Sequence, residues 1–158
     1  MSRAKVYLET TIVSYLTARP SRDLLVAAHQ QITSDWWASK RQEFDLFVSQ
    51  LVLEEASAGD SEAASRRLKL IEGIDLIGLT EASLALAENL IVSGAVPADS
   101  AEDALHVAVA AVNGMDYVLT WNCRHIANAA KRGHIEATCL DAGYAAPIIC
   151  TPEELLEN

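Results

Sequence analysis

Lys5-Val6-Tyr7-Leu8-Glu9-Thr10-Thr11 is the stretch on which the reading of this chain turns. A short, strand-like run that is mostly apolar meets a carboxylate and then two hydroxyl residues. A helix signal follows at once in Ile12, Val13, Tyr15 and Leu16, ending before Pro20, with Thr10 and Thr11 as its expected caps. A strand that stops on an acid and turns directly into a helix is the joint of an alternating α/β chain.

Working outward, the same joint recurs. Ser21 is the expected cap of a longer helix in which Leu25, Ala28, Ile32 and Trp36 repeat at helical spacing. Trp36 and Trp37 are adjacent and cannot both face one core, so one of them faces solvent or a partner. Residues 44–48 form a second apolar strand, closed by Ser49 and followed by a short helix carrying Glu54 and Glu55. Gly59 and Asp60 end that helix, and Ser61 caps another that reaches about Ile71. Residues 74–77 are a third strand, and Thr80-Glu81-Ala82 opens a helix that ends near Gly94. Pro97 and Asp99 start the next, which reaches Val112 before Gly114 breaks it. Residues 117–120 and 148–150 are the remaining strands. Thr151-Pro152-Glu153-Glu154 after them is a capping box with proline at the first helical position. These intervals imply a three-layer α/β/α domain spanning residues 1–158, with a mostly parallel central sheet of about five strands.

The composition narrows the function classes. The formal charge is −10, and phosphate contacts normally come from a surface rich in lysine and arginine. An enzyme that meets phosphate through a cation escapes that objection. Arg66, Arg67, Lys69, Arg124, Lys131 and Arg132 are candidates for a basic rim, or else ordinary solvated helix surface. No apolar run of about 18 residues suits a membrane span, and Met1-Ser2-Arg3-Ala4-Lys5 has no secretory pattern. A cytoplasmic location without a membrane partner is the expectation. Cys123, Cys139 and Cys150 are too few for a disulfide framework and read as buried, reduced thiols.

Glu9, Glu55, Asp103 and Asn122 each lie at the end of a strand-like run or on a helix facing one. The C-terminal ends of parallel strands open onto one crevice, so groups far apart in sequence meet there. Hard oxygen ligands gathered in this way suit Mg²⁺ or Mn²⁺. Asp99, Glu102, Asp103 and His106 fall at i, i+3, i+4 and i+7, on one face of their helix. Ala101, Ala104, Leu105, Ala108 and Val112 fall on the other.

Taken together, Tyr7-Leu8-Glu9-Thr10-Thr11, the segment from Ser49 to Glu55 with Gly59, Asp103-Ala104-Leu105-His106-Val107-Ala108 and Thr120-Trp121-Asn122-Cys123-Arg124-His125-Ile126 resemble the four motifs of the PIN-domain nucleases. The likeness is greatest to the VapC-type toxins of prokaryotic toxin–antitoxin pairs and spans roughly residues 4–150. It implies a metal-dependent endoribonuclease in which Glu9, Glu55 and Asp103 are metal ligands and Asn122 takes the place of a further acid or amide. Mg²⁺ or Mn²⁺ would clamp phosphate oxygens and lower the pKa of the attacking water. Thr11 and Thr120 would orient the carboxylates, while Asp99, His106 and Arg124 would support the site or touch RNA. The resemblance also implies an RNA substrate, a homodimer, and a cognate antitoxin laid in an apolar groove near Tyr15, Leu16 and the second helix.

Two positions depart from the family pattern. Glu9 stands where Asp is usual, which moves the carboxylate outward by one bond, and Asn122 with His125 leaves the cluster less acidic. The alternative is therefore a catalytically weak or inactive PIN-like module that binds RNA or a partner protein. A phosphatase-like use of Asp103 lacks a nucleophile motif. A zinc site from Cys123, His125, His134 and Cys139 has no standard spacing.

Overall fold

The structure, a computed structural model, describes residues 2–156. Five strands, β1 (Ala4–Leu8), β2 (Phe44–Ser49), β3 (Asp75–Ile77), β4 (Tyr117–Leu119) and β5 (Ile148–Cys150), form one sheet in the order β3-β2-β1-β4-β5. All four pairings are parallel, with Val6 opposite Leu46 and Leu8 opposite Leu119. Central β1 is buried on both faces at Val6, Tyr7 and Leu8, the burial that a parallel sheet covered twice demands.

The first crossover holds α1 (Thr10–Thr17) and α2 (Leu24–Ser39), and the second holds α3 (Gln50–Ala56) and α4 (Ser61–Ile71). Both step from β1 toward β3. The third, α5 (Glu81–Val92) and α6 (Ala101–Val112), carries the chain back across the sheet to β4, and α7 (Ala129–Asp141) leads to β5. Crossovers of parallel strands are right-handed, so the reversal places α1–α4 on one face and α5–α7 on the other. The contacts agree: α1 packs on α2, α3 and α4, whereas α5 packs on α6 and α7. The direction of winding changes between β1 and β4, which is where an open α/β sheet forms its crevice.

Several local expectations shift. Glu9, not Thr10 or Thr11, is the N-cap of α1, and its side chain accepts from the Thr11 N–H. Asp23 rather than Ser21 caps α2, and Asp60 rather than Ser61 caps α4. Aspartate accepts the free N–H groups of the first turn with a charged oxygen, which a nearby serine does not match. Thr80 with Ser83, and Thr151 with Glu154, close the reciprocal caps of α5 and of the last helix, α8 (Pro152–Leu156). Helix α6 begins at Ala101, so Asp99 lies before it rather than on its face. Seven of its residues are buried, including His106, and Ala101 is exposed, because α6 is wedged between the sheet and α5. Helix α7 went unread in the sequence. Cys123 is exposed, while burial pushes the thiols of Cys139 and Cys150 up to about 11 and about 12.

Of the tryptophan pair, Trp36 is the core residue, fully buried on α2 and stacked on Phe44 at 5.8 Å between ring centroids. Trp37 is half-buried under the Arg41 guanidinium. The Trp36 indole N–H is buried with no acceptor, so its ring contributes volume rather than a hydrogen bond. Trp36→Phe should therefore cost about 1–2 kcal/mol and Trp36→Ala about 3–5 kcal/mol in urea unfolding. Equal losses for the two would contradict a packing role.

Candidate functional site

Glu9 is the first residue past the central strand, and its N–H still pairs with the Leu119 carbonyl at 3.1 Å. It is only 4 % exposed. Its carboxylate accepts from the Thr11 N–H at 3.2 Å, the Thr11 hydroxyl at 2.5 Å and the Thr120 hydroxyl at 2.6 Å. A buried carboxylate needs such donors to replace the water it has lost. The added methylene of glutamate lets the side chain fold back over the first turn of α1 while its oxygens remain at the crevice.

Glu55 comes from α3, behind β2. One carboxylate oxygen accepts from the Thr10 hydroxyl and faces His106 Nε2 at 2.7 Å. The imidazole is 1 % exposed, and its Nδ1 lies 2.7 Å from the Tyr7 hydroxyl, which is 2.8 Å from Ser49 Oγ. A buried chain of polar groups thus runs from Ser49 through Tyr7 and His106 to Glu55. Burial keeps the Tyr7 phenol far above its ordinary pKa and so neutral. Burial alone would raise the Glu55 carboxyl as well, but the hydrogen bond and charge of His106 and the Thr10 hydroxyl hold it below its ordinary value.

Glu9, Glu55 and His106 each bring one ligand atom within 4.8 Å of the others. Two carboxylates and an imidazole converging from three elements suit a divalent ion, and the charge of the pair favours one. Thr10, Thr11 and Thr120 supply the hydroxyls that orient these ligands.

Asp103 and Asn122 gather separately. The Asn122 amide donates to Asp103 Oδ1 at 3.0 Å, and His125 Nδ1 lies 2.8 Å from Asp103 Oδ2. The Asn122 carbonyl accepts from the His125 N–H at 3.0 Å, which fixes the turn after β4. Thr120 joins the two groups, since its hydroxyl donates to Glu9 and accepts from the Asn122 N–H at 2.9 Å. The structure therefore brings Glu9 and Glu55 together, adds His106, and sets Asp103 with Asn122 beside them in a second carboxylate–imidazole pair. His125, expected from the fourth motif only to make the cluster less acidic, supplies the imidazole that faces Asp103. Asp99 is exposed and accepts from the Ser100 hydroxyl, and Arg124 is exposed. Of the expected basic rim, Arg67 is spent on the carbonyls of Ala56 and Ala58, and Arg132 on Glu154.

No family model and no curated protein matches the chain. Among solved structures, it superposes on a chain of VapBC2 from Rickettsia felis, determined bound to a DNA fragment from its promoter, with a TM-score of 0.60 and 13 % identity over 93 % of this chain and 98 % of that one. It also superposes on VapC20 of Mycobacterium tuberculosis, a toxin that cleaves the sarcin–ricin loop, with a TM-score of 0.56 and 17 % identity over 89 % of this chain and 96 % of that one. At such identities the likeness is one of fold.

A carboxyl whose folded pKa is lowered adds stability that is fully present above its ordinary value of 4.5 and is lost as pH falls through the lower folded value. In chelator, Glu55→Gln should be less stable than the parent at about pH 7, with the gap closing by about pH 2. Urea unfolding across that range measures it, and a gap independent of pH would remove the charge-based account.

Proposed function

We propose that this chain, which has the VapC-type PIN fold, is a divalent-metal-dependent endoribonuclease acting as the toxin of a toxin–antitoxin pair. One observation carries the reading: two carboxylates, Glu9 and Glu55, converge at the β1/β4 crevice in a fold shared with toxins. A divalent ion bound there supplies positive charge for phosphate oxygens and acidifies a water. The chain's own part is to hold Glu9 through Thr11 and Thr120, to hold Glu55 through Thr10 and His106, and to keep both carboxylates from closing on each other. Asp103, with Asn122 and His125 locking its oxygens, shapes the adjoining wall on which the scissile phosphate would rest, and exposed Arg124 stands at its rim.

A groove of about 280 Å³ lies between α1 and α2, bordered by Tyr15, Leu16, Ala18, Pro20 and Ala27. Leu24 and Leu25 at the start of α2 are 88 % and 67 % exposed. This supports the reading in which an antitoxin segment lies along α2. A homodimer and a cytoplasmic site of action belong to the same reading, and no helix among the described residues is long and apolar enough to cross a membrane.

The second reading, a PIN-like module that binds without cutting, draws on the state of Asp103. Both of its oxygens already have protein partners, which leaves fewer free acids than the three that the sequence led one to expect.

Total RNA incubated with purified, partner-free protein and Mg²⁺, Mn²⁺ or chelator separates the two. Divalent-dependent cleavage is expected, falling by at least about a hundredfold in Glu55→Ala and in an identically prepared Asp103→Ala variant. Folded protein that cuts under neither ion would establish the binding module instead.

A further inference from the structure

We infer that His106 is itself a metal ligand, its Nε2 joining one oxygen each of Glu9 and Glu55 in a nitrogen-and-oxygen site that prefers a first-row transition ion such as Mn²⁺ to Mg²⁺. The inference rests on the reading that this crevice holds a divalent ion, and adds which atoms hold it and which ion they select.

The ring is fixed for that task. His106 is 1 % exposed, on the second turn of α6, with Nε2 directed at the carboxylate pair and Nδ1 turned inward to Tyr7. Metal-bound histidines characteristically have the second ring nitrogen held by a hydrogen bond, which sets the tautomer and the ring plane. His106 Nδ1 lies 2.7 Å from the Tyr7 hydroxyl, itself 2.8 Å from Ser49 Oγ, and the tautomer with its proton on Nδ1 leaves an Nε2 lone pair for an ion between Glu9 and Glu55.

The spacing fits as well. Neighbouring ligands of an octahedral ion with bonds of about 2.1 Å lie about 3 Å apart. Nε2 and Glu55 Oε1 are 2.7 Å apart, so a small spreading of the pair brings them to the separation of two neighbouring ligands. Among the described residues the ligand atoms that converge within 4.8 Å are those of Glu9, Glu55 and His106, and Asp103 is turned instead to Asn122 and His125. The donor set then follows from chemistry: an imidazole nitrogen raises affinity for the first-row transition ions, Mn²⁺ the weakest of them, relative to Mg²⁺, which favours oxygen ligands and retains its waters.

The test uses the full-length protein stripped with chelator and loaded with one equivalent of Mn²⁺. Electron spin echo envelope modulation reads directly bound ¹⁴N, while titration against Mg²⁺ reads selectivity. Expected are ¹⁴N modulation in the parent that vanishes in His106→Gln and persists in His125→Gln, and a loss of about tenfold or more in Mn²⁺ affinity for His106→Gln with a smaller change for Mg²⁺. If His106→Gln does not fold, parent coupling that persists in His125→Gln decides in favour of the assignment, and coupling lost there decides against it. Bound Mn²⁺ with no nitrogen coupling overturns the assignment and leaves the ribonuclease reading standing, since the ion is then held by oxygen alone. Coupling that survives in His106→Gln but is lost in His125→Gln overturns it in favour of the Asp103 pair. Failure of the folded parent to bind Mn²⁺ overturns both.

Discussion

Two carboxylates brought near one another and out of bulk water repel and lose hydration, and much of this molecule is the means of tolerating that. Glu9 is surrounded by one backbone and two hydroxyl donors, and Glu55 by a hydroxyl and an imidazole. The donors come from both sides of the sheet's winding reversal: Thr10 and Thr11 follow β1, Thr120 follows β4, and His106 descends from α6. Breaking the β1–β4 pairing would separate Glu9 from Thr120, so the sheet topology and the charge compensation are one constraint. The buried Ser49–Tyr7–His106 chain extends it into the core, because Tyr7 is a β1 residue facing the layer that α6 covers. Fully satisfied buried polar networks of this kind specify one arrangement, and partly satisfied ones are costly.

That dependence explains what could be read in advance. The strands were legible because parallel strands buried on both faces are continuous apolar runs, as Val6-Tyr7-Leu8 is, and the strand–acid–helix joint at Glu9 fixed their direction. Helix α7 was not legible. It has Gly133 inside it and buries only Ile135, Thr138 and Cys139, so its apolar periodicity is faint, and it stands on its Asn128 cap and its packing on α5. Helix α6 was misread for the opposite reason: a wedged helix is covered around most of its circumference, so a split into polar and apolar faces no longer predicts burial. His106 was grouped with the acids at helical spacing, and nothing in the spacing says that Tyr7, 99 residues earlier in the chain, would take its inner nitrogen. Caps moved by one or two residues wherever an aspartate or Glu9 stood next to the serine or threonine chosen.

The candidate ligands were legible as residue types and not as partners. Glu9 and Glu55 could be named from their motifs, but the division into Glu55–His106 and Asp103–His125 pairs depends on the turn after β4, which the Asn122 side chain closes onto the His125 N–H. Asp103 and His106, three positions apart on α6, face the two groups separately, so one helix gives a carboxylate to one pair and an imidazole to the other. A rotation of α6 would disturb both pairs together.

The distribution of charge completes the argument. The chain carries −10 overall, and two of the six basic residues that might have offset it near the site are bound elsewhere: Arg67 at the end of α3 and Arg132 on Glu154. Each crevice carboxylate, by contrast, has compensating donors, and Asp103 lies in the first turn of α6, where free N–H groups and the helix dipole favour a negative charge. The protein therefore holds its crevice acids, unlike those of its surface, as a structured, locally neutralised set. On the proposed reading, attraction for phosphate at such a site comes from a cation held by that set, which makes ion binding the step on which substrate binding depends.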